Sequence, residues 1–240
     1  MPISSANRYV LLDASVVAGY YLPIAARHKR SQPRICAIVD SVRKRLSPNV
    51  FFYIPNTCIA EVFDVLTKYR YGAKWNPHVK KLLPRGLPKD RYKELRETFA
   101  QDIHNGRLFY QCELNRYHIL ASDLISIVDN AYQYYRGKKQ HRPMGTKDHI
   151  IVGMGIHLAR THGHDNFAIL TSDHRMADLV KRASRLKPTR ARQLGLTERM
   201  EELGLAFGKE AFPKVINLAS CKNSDLEGFF GEWALPTELP

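Results

Sequence analysis

The stretch Tyr9–Ser15, with the sequence YVLLDAS, decides the fold class of this chain. Its apolar residues run directly into Asp13, which predicts a short buried β-strand that ends at an acid. The stretch Phe167–Asp173, FAILTSD, repeats this arrangement, and further strand patterns occupy Val50–Ile54 and Lys214–Leu218. Between these strands, apolar residues recur at the spacing of an α-helix. We therefore predict an α/β fold, a three-layer α/β/α sandwich with a central, mainly parallel sheet.

Helices are predicted in the intervals between the strands. They are expected at Val16–Leu22, Ile35–Leu46, Thr57–Tyr69, Arg91–Ile103, Asp123–Tyr135, Thr146–Arg160 and His174–Ser184. Two apolar runs are ambiguous: Leu108–Leu114 fits a strand or part of a hairpin, and Tyr117–Leu120 fits a further strand. Residues 1–220 are predicted to form one domain with a basic, partly helical insertion at about 72–114. Residues 221–240 are predicted to form a C-terminal tail that is partly disordered.

The composition indicates a polyanionic partner. The chain has 37 Lys and Arg against 23 Asp and Glu, a net charge of +14 and a pI near 9.7. Acids and bases are segregated, since no acid occurs in residues 14–39, 65–89, 130–147 or 179–197. Such a chain attracts nucleic acid most readily and an anionic membrane surface less often.

Other features of the sequence bear on location. No apolar run reaches the roughly 20 residues that a membrane helix needs, and the polar start Met1–Arg8 lacks the features of a signal peptide. The four cysteines are scattered without a CxxC pair. This argues against a zinc cage and predicts free thiols in a reducing compartment. We therefore expect a cytoplasmic protein with no membrane partner.

Four acids stand where an α/β sheet places its functional site. Asp13 and Asp173 each follow a strand, and Glu61 and Asp148 lie near helix starts. Open parallel sheets bind ligands at the carboxyl ends of their strands, where the strand order reverses. If the first and fourth strands are neighbours, the four carboxylates converge, and Mg²⁺ or Mn²⁺ is the natural ion to neutralise them. Cations held in this way activate water and stabilise the charge on a phosphodiester under attack.

Four short motifs resemble those of PIN-domain nucleases. They are D-x-S at Asp13–Ser15, N-x-x-x-x-E at Asn56–Glu61, T-x-D-x-x-I at Thr146–Ile151 and T-S-D at Thr171–Asp173. The order of the motifs and their strand–helix context carry the resemblance over roughly residues 8–220. It implies a metal-dependent endonuclease that acts on RNA, with DNA as the alternative substrate. Because many such nucleases are toxins of toxin–antitoxin pairs, a small antitoxin-like protein and a second copy of the chain are candidate partners. This chain is longer than the compact toxins, which puts the toxin role in doubt more than the nuclease role.

The resemblance implies roles for individual residues. The predicted catalytic residues and metal ligands are Asp13, Glu61, Asp148 and Asp173. The residues predicted to orient them are Ser15, Asn56, Thr171, Ser172 and Asp178. The predicted nucleic-acid contacts are Lys138, Lys139, Arg142, Lys147, His174 and Arg175.

Alternatives remain open from the sequence. One is a PIN-like RNA-binding or scaffold protein without activity, although a binding groove gains nothing from four anions. Another is a haloacid-dehalogenase-like phosphatase, but Ser15 stands where that chemistry needs a second acid. A third is a histidine metal site among His157, His162 and His164, although His162-Gly163-His164 better fits the end of a helix. Taken singly, the acids also fit simpler roles, such as a helix cap for Asp13.

Overall fold

A five-stranded, all-parallel sheet forms the centre of the molecule, and helices flank it in a three-layer α/β/α arrangement. The computed structural model describes residues 7–22, 31–44, 49–136 and 143–235. The strands are β1 (Arg8–Leu12), β2 (Val50–Pro55), β3 (Phe109–Cys112), β4 (Phe167–Thr171) and β5 (Lys214–Asn217). Their order across the sheet is β3-β2-β1-β4-β5, so the strand order reverses between β1 and β4. The predicted α/β fold is confirmed.

The central strands of the sheet are apolar, and they are buried. In β1, Val10, Leu11 and Leu12 are fully buried, and β4 is buried along its whole length. Strands buried in this way read as continuous apolar runs rather than as alternating ones. The register pairs Tyr9 of β1 with Phe51 of β2, where the two rings stack at 5.2 Å.

The helices connect the strands. In the residues that the structure describes they are α1 (Ala14–Tyr21), α2 (Ser31–Arg43), α3 (Asn56–Tyr71), α4 (Pro77–Leu82), α5 (Lys89–His104), α6 (Arg116–Arg136), α7 (Thr146–His162), α8 (His174–Ala183), α9 (Pro188–Gln193), α10 (Leu196–Glu202) and α11 (Asn223–Phe230). Short 3₁₀ turns occupy Gly72–Lys74, Lys209–Ala211 and Glu232–Ala234. None of the described helices is long and apolar enough to cross a membrane.

The chain divides into two compact units that are interleaved in sequence. The first unit comprises residues 1–112, 170–172 and 217–240, and the second comprises residues 113–169 and 173–216. The domain boundary that the sequence suggests at residue 220 stays a prediction.

Helices α6 and α7 of the second unit pack closely against each other. A Cβ on Gly153 of α7 would lie 2.5 Å from the His118 carbonyl oxygen and 2.8 Å from the Ser122 nitrogen, both on α6. Only a glycine permits this approach. The pair is also joined by His118 Nε2, which lies 2.9 Å from His157 Nδ1. Because the Asn115 N–H donates to His118 Nδ1, His118 carries its proton on Nε2 and donates to His157.

Two predictions about the middle of the chain need correction or refinement. Tyr117–Leu120 is not a strand but the first turn of α6, and Asn115 Oδ1 accepts the His118 N–H at 3.1 Å as the helix begins. A four-residue apolar run does not distinguish a strand from a helical turn. The ambiguous segment Leu108–Leu114 contains β3, which pairs with β2 in parallel and is therefore an edge strand of the main sheet.

Asn223–Ala234 of the predicted tail has regular secondary structure, and the prediction that the tail is partly disordered stays a prediction. This segment forms α11 and a 3₁₀ turn within the first unit. Arg34 of α2 fixes its start, because its guanidinium donates to the Leu218 carbonyl at 2.9 Å and to Asn223 Oδ1 at 3.1 Å. Residues 236–240 lie outside the described part.

Candidate functional site

Asp13 follows β1 directly, and its carboxylate is held by two hydroxyl groups. Ser15 Oγ donates to Asp13 Oδ2 at 2.5 Å, and Thr171 Oγ1, at the end of β4, donates to the same oxygen at 2.9 Å. The Ser172 N–H in turn donates to Ser15 Oγ at 3.1 Å. The motifs D-x-S and T-S-D thus meet in one hydrogen-bonded set, which we call the Asp13 cluster: Asp13, Ser15, Thr171 and Ser172. The structure brings together these four predicted site residues.

The simpler explanation for Asp13, that it is a helix cap, does not account for its side chain. Asp13 occupies the N-cap position of α1, but its carboxylate makes no capping hydrogen bond. Only its backbone carbonyl joins the helix, accepting the N–H groups of Val16 and Val17. Asp13 is 6% exposed as a residue, and Thr171 is fully buried. A buried carboxylate is costly to hold in a fold, so this arrangement favours a functional role.

Glu61 and Asp13 lie close to the same thiol, that of Cys58. Burial raises the pKa of Cys58 well above its ordinary value, and the negative charges of Asp13 and Glu61 raise it further. Both acids therefore act on one small region of the first unit. Glu61 is half-buried in the second turn of α3, as the sequence predicts. Asn56 is exposed at the start of that helix, and its predicted bracing role stays a prediction.

Asp148 and Asp173 belong to the second unit and interact with each other. Asp148 is in the first turn of α7, where its Oδ2 accepts the Gly145 N–H at 3.3 Å. Asp173 is the N-cap of α8 and accepts the Arg175 N–H at 2.7 Å. The Arg175 side chain also folds back onto Asp173, with Nη2 3.0 Å from Oδ2. Both acids therefore also serve as helix-terminal acids, the simpler role that their positions suggest.

The pKa shifts of this pair have different causes. Burial raises the pKa of Asp148, and the negative charge of Asp173 raises it further. Burial would also raise the pKa of Asp173, but the hydrogen bonds from Arg175 outweigh it and lower that pKa. The pKa of Arg175 is raised, first by Asp173 and then by Asp148 and Asp129. Arg175 therefore neutralises part of a local concentration of acids.

Asp129 is the acid that sequence analysis missed. It is 4% exposed on α6, and its Oδ2 accepts the Met144 N–H at 2.7 Å and the His149 Nε2–H at 3.0 Å. His149 is itself buried and directly follows Asp148 in α7. The Asp129–His149 pair thus holds the start of α7, and with it Asp148, against α6. A charged residue within the apolar pattern of α6 was the available signal.

Asn217 is a second missed residue, and it ends β5 as Asp13 follows β1. Its Oδ1 accepts the Ala219 N–H at 2.9 Å, whereas its Nδ2 is buried without a hydrogen-bond partner. The next residue, Leu218, donates its N–H to the Thr171 carbonyl at 2.9 Å. The strand-end rule that singled out Asp13 also applies to this position.

The predicted nucleic-acid contacts are only partly described. Lys147 and His174 are exposed, and Arg175, also exposed, is engaged with Asp173. Lys138, Lys139 and Arg142 lie outside the described residues. Asp178 is exposed on α8, one and a half turns beyond the N-cap.

Histidines do not gather into the alternative metal site in the part of the chain that the structure describes. His157 accepts a hydrogen bond from His118, and His164 Nδ1 lies 3.7 Å from Asp165. His162 ends α7 and Gly163 follows with a positive φ of 86°, as predicted for a helix end. Within residues 7–22, 31–44, 49–136 and 143–235, no group of three or more His, Cys, Asp or Glu side chains is arranged to hold a metal ion.

Comparisons with known proteins add no family to this picture. No protein-family model matches the chain, and a search of curated proteins finds no match either. The resemblance to PIN domains therefore rests on the four motifs alone.

Proposed function

We propose that the protein is a metal-dependent endonuclease that hydrolyses phosphodiester bonds, with RNA as its substrate and Mg²⁺ or Mn²⁺ as its cofactor. The observation that carries the proposal is the Asp13 cluster. Two hydroxyl groups, one beside β1 and one ending β4, are committed to a single buried carboxylate oxygen. This carboxylate does not cap its helix, so a capping role does not explain why a charged group is buried here.

The place of the cluster in the sheet supports the proposal. Strands β1 and β4 are neighbours, and the strand order reverses between them. Open α/β sheets bind their ligands at the carboxyl ends of the strands at such a point. Asp13 follows β1, and Thr171 and Ser172 are at the end of β4.

The donor set fits a hard divalent cation. Asp13 and Glu61 in the first unit, and Asp148 and Asp173 in the second, offer oxygen ligands only, which Mg²⁺ and Mn²⁺ prefer. Mg²⁺ commonly binds through one or two carboxylates and completes its shell with water and substrate phosphates. A pair of acids is therefore sufficient. Burial and then the negative charge of Asp173 raise the pKa of Asp148, and a cation would offset both effects. When bound, the cation supplies an activated water and stabilises the phosphodiester under attack.

The protein's own residues have orienting roles in this proposal. Ser15 and Thr171 fix one rotamer of Asp13, which leaves the direction of its carboxylate defined. The Asp129–His149 pair holds the first turn of α7 and so positions Asp148. Arg175 holds Asp173 and adds positive charge for a phosphate to meet.

Cleavage of labelled single-stranded RNA and duplex DNA, in Mn²⁺, Mg²⁺ or EDTA, tests the proposal. Glu61→Gln and Asp64→Asn form a matched pair, because both acids are on α3 but Asp64 is exposed and ion-paired with Lys68. We expect metal-dependent cleavage of RNA that falls at least about 100-fold in Asp13→Asn and Glu61→Gln, by analogy with the loss of one electrostatic stabiliser in other enzymes. Asp64→Asn should cleave like the unaltered protein. Equal activity of Glu61→Gln and Asp64→Asn would refute the assignment of Glu61.

The alternative function is RNA binding without cleavage, which the net charge of +14 favours. In that case RNA would bind tightly but stay intact with both metals, and the carboxylate variants would bind as the unaltered protein does. A small antitoxin-like partner, a homodimer and a cytoplasmic location accompany the proposed function as expectations. The four cysteines, all free thiols, fit a reducing compartment.

A further inference from the structure

A basic pocket of about 620 Å³ lies in the second unit between α6, α8 and α9. Its cations are Lys181 and Arg182 of α8, Arg185 just beyond that helix and Arg190 of α9. All four cations belong to the acid-free stretch 179–197 and follow one another closely in sequence, whereas the pocket also draws on α6. The fold joins them, because Tyr132 of α6 also lines the pocket.

The concentration of charge exceeds what helix stability explains. Cations in the last turn of a helix interact favourably with its dipole, which accounts for Lys181 and Arg182. Arg190 is in the last turn of α9, and Arg185 follows the C-cap of α8, so the cations of two helix ends line one pocket. Like charges three and four residues apart on a helix repel each other, and Asp178 is the one acid among the residues that line the pocket. The side chains that line the pocket therefore carry a net charge of +3, which attracts an anion.

The pocket also has an aromatic and apolar wall. The Arg182 guanidinium carbon lies over the Tyr132 ring, 4.1 Å from its centre, and we call this cation–π pair the Tyr132–Arg182 platform. Val128 and Leu186 supply apolar surface nearby. A phosphate needs only cations, whereas a platform of this kind suits a planar, aromatic group. The volume is within the range of small-molecule pockets, roughly 300–1,000 Å³, and admits a nucleotide.

We propose that this pocket binds one nucleotide of single-stranded RNA, with its phosphate between Lys181 and Arg185 and its base against the Tyr132–Arg182 platform. The base must be unpaired, because a base in a duplex is stacked between its neighbours and does not enter such a pocket. The inference rests on the proposed function in one respect, that the bound strand is the substrate. Lys181 is eight residues beyond Asp173 along the same helix, or about 12 Å at 1.5 Å per residue. The bound nucleotide therefore belongs to the strand that reaches Asp173.

Binding without metal tests the pocket separately from the nuclease. Fluorescence anisotropy would follow a labelled oligouridylate 10-mer and oligoadenylate 10-mer with the full chain in EDTA, over a range of salt concentrations. The test variant is Lys181→Gln/Arg185→Gln. Its control is Lys80→Gln/Lys81→Gln, which removes the same charge from two exposed lysines of α4.

We expect the test variant to bind about 10- to 100-fold more weakly, with a slope of log K against log salt smaller by about 0.7, the value for one phosphate that is no longer neutralised. The control variant should bind within about threefold of the unaltered protein, since scattered surface charges contribute little to a local contact. Equal weakening of the two variants would show a diffuse electrostatic effect and overturn the pocket.

Tyr132→Leu tests the base. Loss of a stacking ring weakens binding about fivefold to 100-fold for each base, and it should leave the salt slope unchanged. Inorganic polyphosphate, which has charge but no base, should bind Tyr132→Leu as well as it binds the unaltered protein, which also shows that the variant is folded. Equal loss for RNA and polyphosphate, or no loss for either, would overturn the nucleotide assignment. Equal dependence of duplex RNA on Tyr132 would overturn the single-strand assignment.

Cleavage kinetics separate the two proposals. With metal, Lys181→Gln/Arg185→Gln should raise KM for RNA about tenfold and leave kcat within about threefold, as expected when uniform binding is lost. An unchanged KM would overturn the claim that the pocket holds the substrate strand. Absence of cleavage by the unaltered protein, together with pocket-dependent binding in EDTA, would refute the nuclease and leave the RNA-binding pocket standing.

Discussion

Asp129 makes two buried hydrogen bonds, and its replacement shows how strongly they stabilise the fold. Its Oδ2 accepts the Met144 N–H at 2.7 Å and the His149 Nε2–H at 3.0 Å. Hydrogen bonds to charged groups each contribute about 1.5–3 kcal/mol. Asp129→Ala is therefore expected to lower the free energy of unfolding by about 3–5 kcal/mol, the range for breaking a buried pair. Asp129→Asn keeps an oxygen acceptor and should cost about 1–2 kcal/mol.

Urea unfolding followed by far-ultraviolet circular dichroism measures this loss, because the signal reports the helices of both units. Tryptophan fluorescence is unsuitable, since Trp75 and Trp233 both belong to the first unit. The control is Asp165→Ala, which removes an exposed acid of the second unit whose ion pair with Lys214 is at the surface. No measurable loss is expected for this control.

The expected order of stability is the unaltered protein, Asp129→Asn and then Asp129→Ala. A loss below about 1 kcal/mol for Asp129→Ala would mean that the Met144 N–H and His149 are satisfied without the carboxylate. That result would refute the role of Asp129 in holding the start of α7. A loss equal in the two variants would show that charge, rather than an oxygen acceptor, is what His149 requires.

Three further perturbations have definite expected outcomes. Thr171→Val keeps the shape of a fully buried side chain but removes the hydroxyl that donates to Asp13 Oδ2. It should lower the free energy of unfolding in urea by about 1–3 kcal/mol and reduce RNA cleavage. Unchanged stability and cleavage would contradict this expectation. Gly153→Ala places a methyl group 2.5 Å from a backbone oxygen of α6 and should cost about 1–3 kcal/mol in thermal unfolding, whereas Gly228→Ala, with nothing within 4 Å, should be neutral or slightly stabilising. Burial, and then His157, lower the pKa of His118 from 6.5 to about 4, so the unfolded chain binds a proton that the folded protein does not, and stability should fall as the pH falls from about 6.5 to 4. Urea midpoints across this range should show a slope that His118→Phe reduces, and an unchanged slope would contradict the assignment.

The sequence predicted the sheet well because its central strands are written as uninterrupted apolar runs. Continuous apolar runs such as YVLL and FAILT fit strands that are buried on both faces of a parallel sheet. In the structure they form β1 and β4. Elements outside the central strands were less predictable. Tyr117–Leu120 resembled a strand but begins α6, because a short apolar run fits one helical turn equally well. The partner of β3 could not be inferred, since parallel pairing depends on contacts that are distant in sequence.

The parts of the candidate site that local motifs mark could be predicted from the sequence. The parts that depend on contacts between distant residues could not. D-x-S and T-S-D identified the Asp13 cluster, and the structure joins their side chains. Asp129 belongs to no motif, because its role depends on hydrogen bonds with Met144 and His149, which are 15 and 20 residues away. The basic pocket was also out of reach, since Tyr132 and Arg182 are 50 positions apart and meet only through the packing of α6 and α8.

The hydrogen bond between Thr171 and Asp13 joins residues 158 positions apart. At about 5–20 residues per second, a ribosome needs roughly 8–30 s to synthesise the second partner after the first. Throughout that interval Asp13 has the Ser15 hydroxyl but lacks the Thr171 hydroxyl, and pairings over such separations form late in folding. The growing polypeptide, which is still held by the ribosome, therefore acquires its fully oriented carboxylate only after Thr171 has been synthesised.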